Sequence, residues 1–126
     1  MNTIRIDAGP VTMMAELNDT PTALKVWQAL PIEGLASRWG DEIYFEIPVS
    51  AEQEPGARAD VVVGELGYWP VGHAFCIFFG PTPVSRGDQP RAYSPVNLLG
   101  HVLGDATLFR QVKSGEPVHL SKVSGT

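Results

Sequence analysis

The chain has 126 residues, enough for one domain and too few for two. Apolar residues make up 44% and charged residues 18%, a globular composition that excludes disorder as a description of the whole. Net charge is −5 and no run of Lys and Arg occurs, which argues against a nucleic-acid partner.

The predicted elements begin with a strand at Thr3–Asp7, where Ile4 and Ile6 share one face, turned by Ala8-Gly9-Pro10 into a second strand, Val11–Leu17. Thr20 is a good N-cap and Pro21 suits the first helical position. Ala23, Leu24, Trp27 and Leu30 then recur at helical spacing until Pro31, so a short amphipathic helix is expected to lay Leu24 and Trp27 onto a sheet or to close a barrel mouth. Leu35–Trp39 and Glu42–Ile47 read as strands around Gly40-Asp41. In the second, Ile43, Phe45 and Ile47 form an apolar face, while Glu42, Tyr44 and Glu46 form a polar face expected to be exposed.

Pro48–Ala59 is a polar loop, Asp60–Glu65 a short strand, and Gly67–Gly72 a loop carrying Tyr68 and Trp69. Ala74–Phe79 is apolar on both faces, as in a strand buried on both sides. Ser85–Ser94 reads as a loop, Val96–Leu103 as a strand, Asp105–Gln111 as a helical turn and Val118–Val123 as the last strand. Thirteen glycines and eleven prolines, scattered without a period, fit tight turns between short strands. The fold class expected is mainly β: one domain over 1–126, a small closed barrel of about eight strands with a short capping helix and a helical turn.

Several chemistries are weak from the outset. Cys76 is the single cysteine, so no internal disulfide forms, and its apolar run makes it an inert buried thiol rather than a partner of His73. His73, His101 and His119 lack ligand spacing, so no metal and no cofactor are expected. The N-terminus lacks an apolar leader and the longest apolar run is Ala74–Phe79; a cytoplasmic chain without a membrane partner is the expectation.

Eight of the eleven aromatic residues fall between Trp39 and Phe79, enough to line an apolar cleft or simply to fill a barrel. Tyr44, Tyr68, Trp69 and Phe79 are the candidate ligand-binding residues. Asn97, flanked by apolar residues, either braces the Tyr93–Pro95 loop or joins them in the cleft. Seven acids against one base in residues 40–65 leave charge-driven self-association into a homo-oligomer as a further reading.

These residues also carry a resemblance. Val11–Leu17 followed by Asn18-Asp19-Thr20-Pro21-Thr22-Ala23 resembles the first strand, proline turn and helix of cyclophilins. Phe78-Phe79 looks like their paired Phe-Phe, and Asn97–Gly104 is similar to their late glycine-containing strand. Trp39-Gly40-Asp41-Glu42-Ile43-Tyr44-Phe45, Gly67-Tyr68-Trp69-Pro70, Cys76–Pro83 and Val96–Gly100 more closely resemble the small prokaryotic cyclophilin-like family, single-domain proteins without an established activity.

The resemblance implies a cyclophilin-like barrel, and its departures bear on function. True cyclophilins isomerise X-Pro bonds with an arginine in a Phe-His-Arg stretch and a glutamine two positions before the second Phe. Here Phe-His-Arg is missing, Ile77 replaces the glutamine, and Arg91-Ala92-Tyr93-Ser94-Pro95 lacks the loop Trp and His. The implied reading is a non-catalytic barrel that binds a peptide or small molecule. The alternative is a weak prolyl isomerase with a rearranged site using Arg38.

Overall fold

The computed structural model describes residues 1–124; the last two residues of the expected 1–126 domain lie outside the described residues. In chain order the elements are β1 (Asn2–Ala8), β2 (Val11–Leu17), α1 (Pro21–Ala29), β3 (Ile32–Leu35), β4 (Ser37–Arg38), β5 (Glu42–Glu46), β6 (Arg58–Asp60), β7 (Glu65–Trp69), β8 (Ala74–Phe78), β9 (Arg91–Val102), a 3-10 helix (Ala106–Gln111) and β10 (Pro117–Ser124). The fold is mainly β, and every strand pair is antiparallel.

The hydrogen-bonded path runs β3-β10-β1-β2-β9-β7-β8-β5-β4, with β6 paired to β9 outside it. It has two ends, and no ladder joins them among the described residues, so the sheet is open rather than the closed barrel of about eight strands expected. The ends are nonetheless neighbours in the chain. Leu35 closes β3, Ser37 opens β4, and only Ala36 lies between, exchanging backbone hydrogen bonds with the 115–116 turn (Ala36 N–H to Glu116 O 2.8 Å, Gly115 N–H to Ala36 O 2.8 Å). That pairing splits the single strand expected at Leu35–Trp39.

The opening hairpin forms, with a two-residue connection in which Ala8 pairs Val11 across Gly9-Pro10. Thr20 caps α1, its Oγ1 accepting from Ala23 N–H, with Pro21 in the first turn. The helix buries Thr22, Ala23 and Val26 and packs against β9. Leu24, expected underneath, is exposed, and Trp27 is only partly buried against the core.

Two apolar clusters exist on opposite faces of the β5-β8-β7-β9 region. The larger takes Ile43 and Phe45 from β5, Leu66 and Tyr68 from β7, Phe75 and Ile77 from β8, and Leu99 from β9. The smaller takes Ala74, Cys76 and Phe78 from β8 with Ala92 and Val96 from β9 and Val61, and packs Tyr44 and Trp69 against itself. Strand side chains alternate between faces, so these strands are covered on both sides. β8 is buried at all five positions, as its unbroken apolar run implies.

Two expected boundaries move. Residues 61–64 form no strand; β6 ends before them and β7 begins after. The region read as a loop around Tyr68 and Trp69 is β7 itself. β9 starts at Arg91, inside the expected Ser85–Ser94 loop. It tolerates Pro95, which has no N–H, because the ladder to β6 is irregular between its Arg58–Val96 and Asp60–Arg91 pairs.

Candidate functional site

A cavity of about 150 Å³ opens on the smaller cluster. β5 supplies Glu42 and Tyr44, β8 supplies Cys76, β7 supplies Trp69, and β9 supplies Ala92, Tyr93 and Val96, with Trp39 from the β4–β5 turn. Glu42 and Cys76 form its buried floor, 5% and 1% exposed, while Tyr93, 73% exposed, stands at the solvent side.

The aromatic walls touch edge to face in a chain. Trp39 meets Tyr93 at 6.1 Å and 69°, Tyr93 meets Trp69 at 6.1 Å and 76°, and Trp69 meets Tyr44 at 6.5 Å and 80°. Such perpendicular pairs are a favoured aromatic geometry. Trp69 is further fixed by its indole N–H, which donates to Ser94 Oγ at 2.6 Å.

Glu42 is the chemical feature of the cavity. Its Oε1 is buried without a hydrogen-bond partner. Burial pushes the carboxyl up to about 7, opposed by a weaker contribution from the Cys76 thiol. Burial pushes the thiol up as well, and the Glu42 charge adds to that shift. No lining side chain is basic. Glu42 was expected on an exposed polar face; the smaller cluster covers that face of β5.

The candidate residues divide. Tyr44 and Trp69 line the cavity. Tyr68 cannot join them, because consecutive residues of a strand point to opposite faces. It is fully buried in the main core and donates its hydroxyl to Val49 O at 2.6 Å. Phe79 is also in the main core, 6.2 Å from Phe109 between ring centres and under the Arg38 guanidinium at 5.1 Å.

Asn97, fully buried, accepts from Glu54 N–H at 2.8 Å and donates to Glu52 O at 2.9 Å and Thr22 Oγ1 at 3.0 Å. It braces the 48–57 loop and the start of α1, not the Tyr93–Pro95 segment. Glu54 completes the network, its carboxylate accepting from both the N–H and the hydroxyl of Thr22.

The family model for cyclophilin-like proteins matches residues 2–121. The chain belongs to the cyclophilin-like family. No curated protein sequence matches it. Among solved structures, this cyclophilin-like chain is similar to a hypothetical protein of Archaeoglobus fulgidus, determined in solution. That likeness has 35% identity and a TM-score of 0.81, over 97% of this chain and 95% of the other. It is also similar in fold to McbB, solved in complex with tryptophan, at 16% identity and a TM-score of 0.70, covering 98% of this chain and 45% of McbB.

Arg38, the candidate for a rearranged isomerase site, has its donors engaged. Nε donates to Gly40 O at 3.0 Å, Nη1 to Arg110 O at 3.1 Å and Val112 O at 2.8 Å, and Nη2 reaches Asp41 at 3.4 Å. Among the described residues, no three His, Cys, Asp or Glu side chains gather to hold a metal ion. Among the described residues, no helix is long and apolar enough to cross a membrane. Trp39, Glu42, Cys76 and Tyr93 were absent from the candidate ligand residues; the unbroken apolar run of β8 was the available signal, since a strand covered on both faces requires its neighbours' second faces to be covered too.

Proposed function

We propose that this cyclophilin-like chain is a non-catalytic binding domain. Its ligand is a small molecule, or a single side chain of a peptide, held between Tyr44, Trp69, Trp39 and Tyr93 over Glu42. The observation that carries this reading is the unpartnered Glu42 Oε1 at the floor of an aromatic cavity. A buried acceptor without a donor is costly in a folded protein unless something else offsets it, and a ligand hydrogen-bond donor would do so. The volume, about 150 Å³, suits one ring or one side-chain end and not a run of peptide.

The non-catalytic half of the proposal rests on the missing isomerase residues and on Arg38. A guanidinium held by three backbone carbonyls and Asp41 is poorly placed to donate to a twisting amide. The test is an NMR titration of the full chain with single-ring compounds at about 1 mM, the weak-binding range. Shifts concentrated at Trp69, Tyr44, Cys76 and Tyr93 are expected. Spectra that do not move for any ring compound would overturn the proposal.

A further inference from the structure

We infer that the cavity takes an organic cation, an ammonium group bearing at least one N–H and attached to a single ring or a short chain. This rests on the cavity being a ligand site and names the chemistry of what enters it.

The first reason is the floor. Glu42 is the one carboxyl on the cavity, and its Oε1 lacks a donor. An ammonium N–H supplies both the missing hydrogen bond and the opposite charge, and a charge-assisted bond is stronger than a neutral one. The second reason is the walls. Aromatic rings attract a cation through their negative faces. Trp39, Tyr93, Trp69 and Tyr44 line the space, each ring at 69–80° to its neighbour. The third is what is missing: no Lys, Arg or His lines the cavity, so an anion would meet Glu42 with nothing to balance it. The overall charge of −5 also favours approach of a cation.

The other titratable groups facing Glu42 are Tyr44 on its own strand, Cys76 on β8 and Tyr93 on β9; Trp69 of β7 and Trp39 add none. With the Glu42 carboxyl at about 7, an entering ammonium displaces its proton, so affinity rises with pH through neutrality. Two sources carry this chemistry, a free amine and a lysine side chain of a peptide, and the test separates them.

The full chain is titrated by tryptophan fluorescence and NMR with benzylamine, benzyl alcohol and N-acetyl-lysine methylamide, near pH 6 and near pH 8, as wild type and as Glu42→Gln. Benzylamine is expected to bind wild type at least about tenfold more tightly than benzyl alcohol near pH 8. That preference shrinks near pH 6 and disappears in Glu42→Gln, which binds the two compounds with similar affinity. N-acetyl-lysine methylamide binding as well as benzylamine supports the peptide source; weaker binding supports the free amine.

Equal affinities for benzylamine and benzyl alcohol in wild type overturn the cation and leave a ligand site standing. No binding by any of the three overturns both readings. If Glu42→Gln does not fold, Tyr93→Leu replaces it, since Tyr93 is largely exposed. Benzylamine affinity then falls several-fold more than benzyl alcohol affinity, and equal losses for the two overturn the cation.

Discussion

Glu42 on β5 and Cys76 on β8 face one cavity from adjacent strands, offset by one pair on the same face. Glu42 stands opposite Phe78, and Cys76 opposite Tyr44. Each is an acid whose ionised form is disfavoured by burial, and ionisation of Glu42 makes that of Cys76 harder still.

The first consequence is a pH-dependent stability. The Glu42 carboxyl rises from 4.5 to about 7 on folding. Between those values the folded chain holds a proton that the unfolded chain has released, so stability falls as pH rises through this window. The loss amounts to about 3 kcal/mol at about 1.4 kcal/mol per pKa unit. Glu42→Gln cannot titrate, so it should gain up to that amount on wild type between acid and mildly alkaline solution, read from urea midpoints. Parallel pH profiles for the two proteins would show that the carboxyl ionises normally in the fold.

Cys76 should be inert in the folded state. The thiolate is the nucleophile, and burial holds this thiol well above its ordinary range. Alkylation by iodoacetamide near pH 8 is expected to be slower than in urea by about a hundredfold or more, because reaction waits for opening of the fold. Comparable rates in the two conditions would place the thiol in contact with solvent.

At Gly100 the backbone itself is the constraint. Its φ is +148°, and an added Cβ would run into the Glu16 carbonyl oxygen, where β9 pairs β2. Gly100→Ala should lower stability by about 3 kcal/mol or more, through strain at an unfavourable φ and separation of the two strands. Gly56, with open space around it, is the control, and its alanine variant should stay within about 0.5 kcal/mol of wild type.

Local chemistry was legible in the sequence where it was sufficient by itself. Thr20-Pro21 starts a helix because cap and ring geometry act within a few residues, and Ile4 and Ile6 mark a strand face by alternation. Non-local packing was not legible. Gly67 reads as a turn glycine beside Pro70, yet it lies in β7, paired to β8 and β9, where Val96 packs so closely that a Cβ would stand 2.8 Å from its Cγ2. Alternation along β7 then puts Tyr68 into the main core and Trp69 into the cavity. Glu42 reads as exposed because its own strand alternates, whereas its burial is decided by β8 and β9.

Asn97 should behave as a structural brace. Replacing it by alanine removes three hydrogen bonds and leaves the Glu54 N–H and the Glu52 carbonyl without their partner. A destabilisation of about 3 kcal/mol is expected, set by the orphaned backbone groups. Amide exchange at Glu54 should accelerate more than exchange in β1 and β2. Ring compounds should bind the variant as they bind wild type, because Val96 faces the cavity while Asn97 does not. Loss of binding with stability intact would make Asn97 a ligand residue.

Arg38 separates the binding reading from the isomerase reading. Its guanidinium satisfies the carbonyls of Gly40, Arg110 and Val112, reaches Asp41, which also pairs with Arg110, and lies over Phe79. Hydrogen bonds to a charged group contribute about 1.5–3 kcal/mol each in favourable settings, less where solvent competes. Arg38 is part exposed, so Arg38→Ala should cost about 2 kcal/mol in total. In a protease-coupled assay on an X-Pro peptide, wild type and Arg38→Ala should both run at the uncatalysed rate, since a guanidinium bound to the backbone must first leave it to reach an amide. Acceleration by wild type that Arg38→Ala abolishes, at a temperature where both remain folded, would restore catalysis at this position.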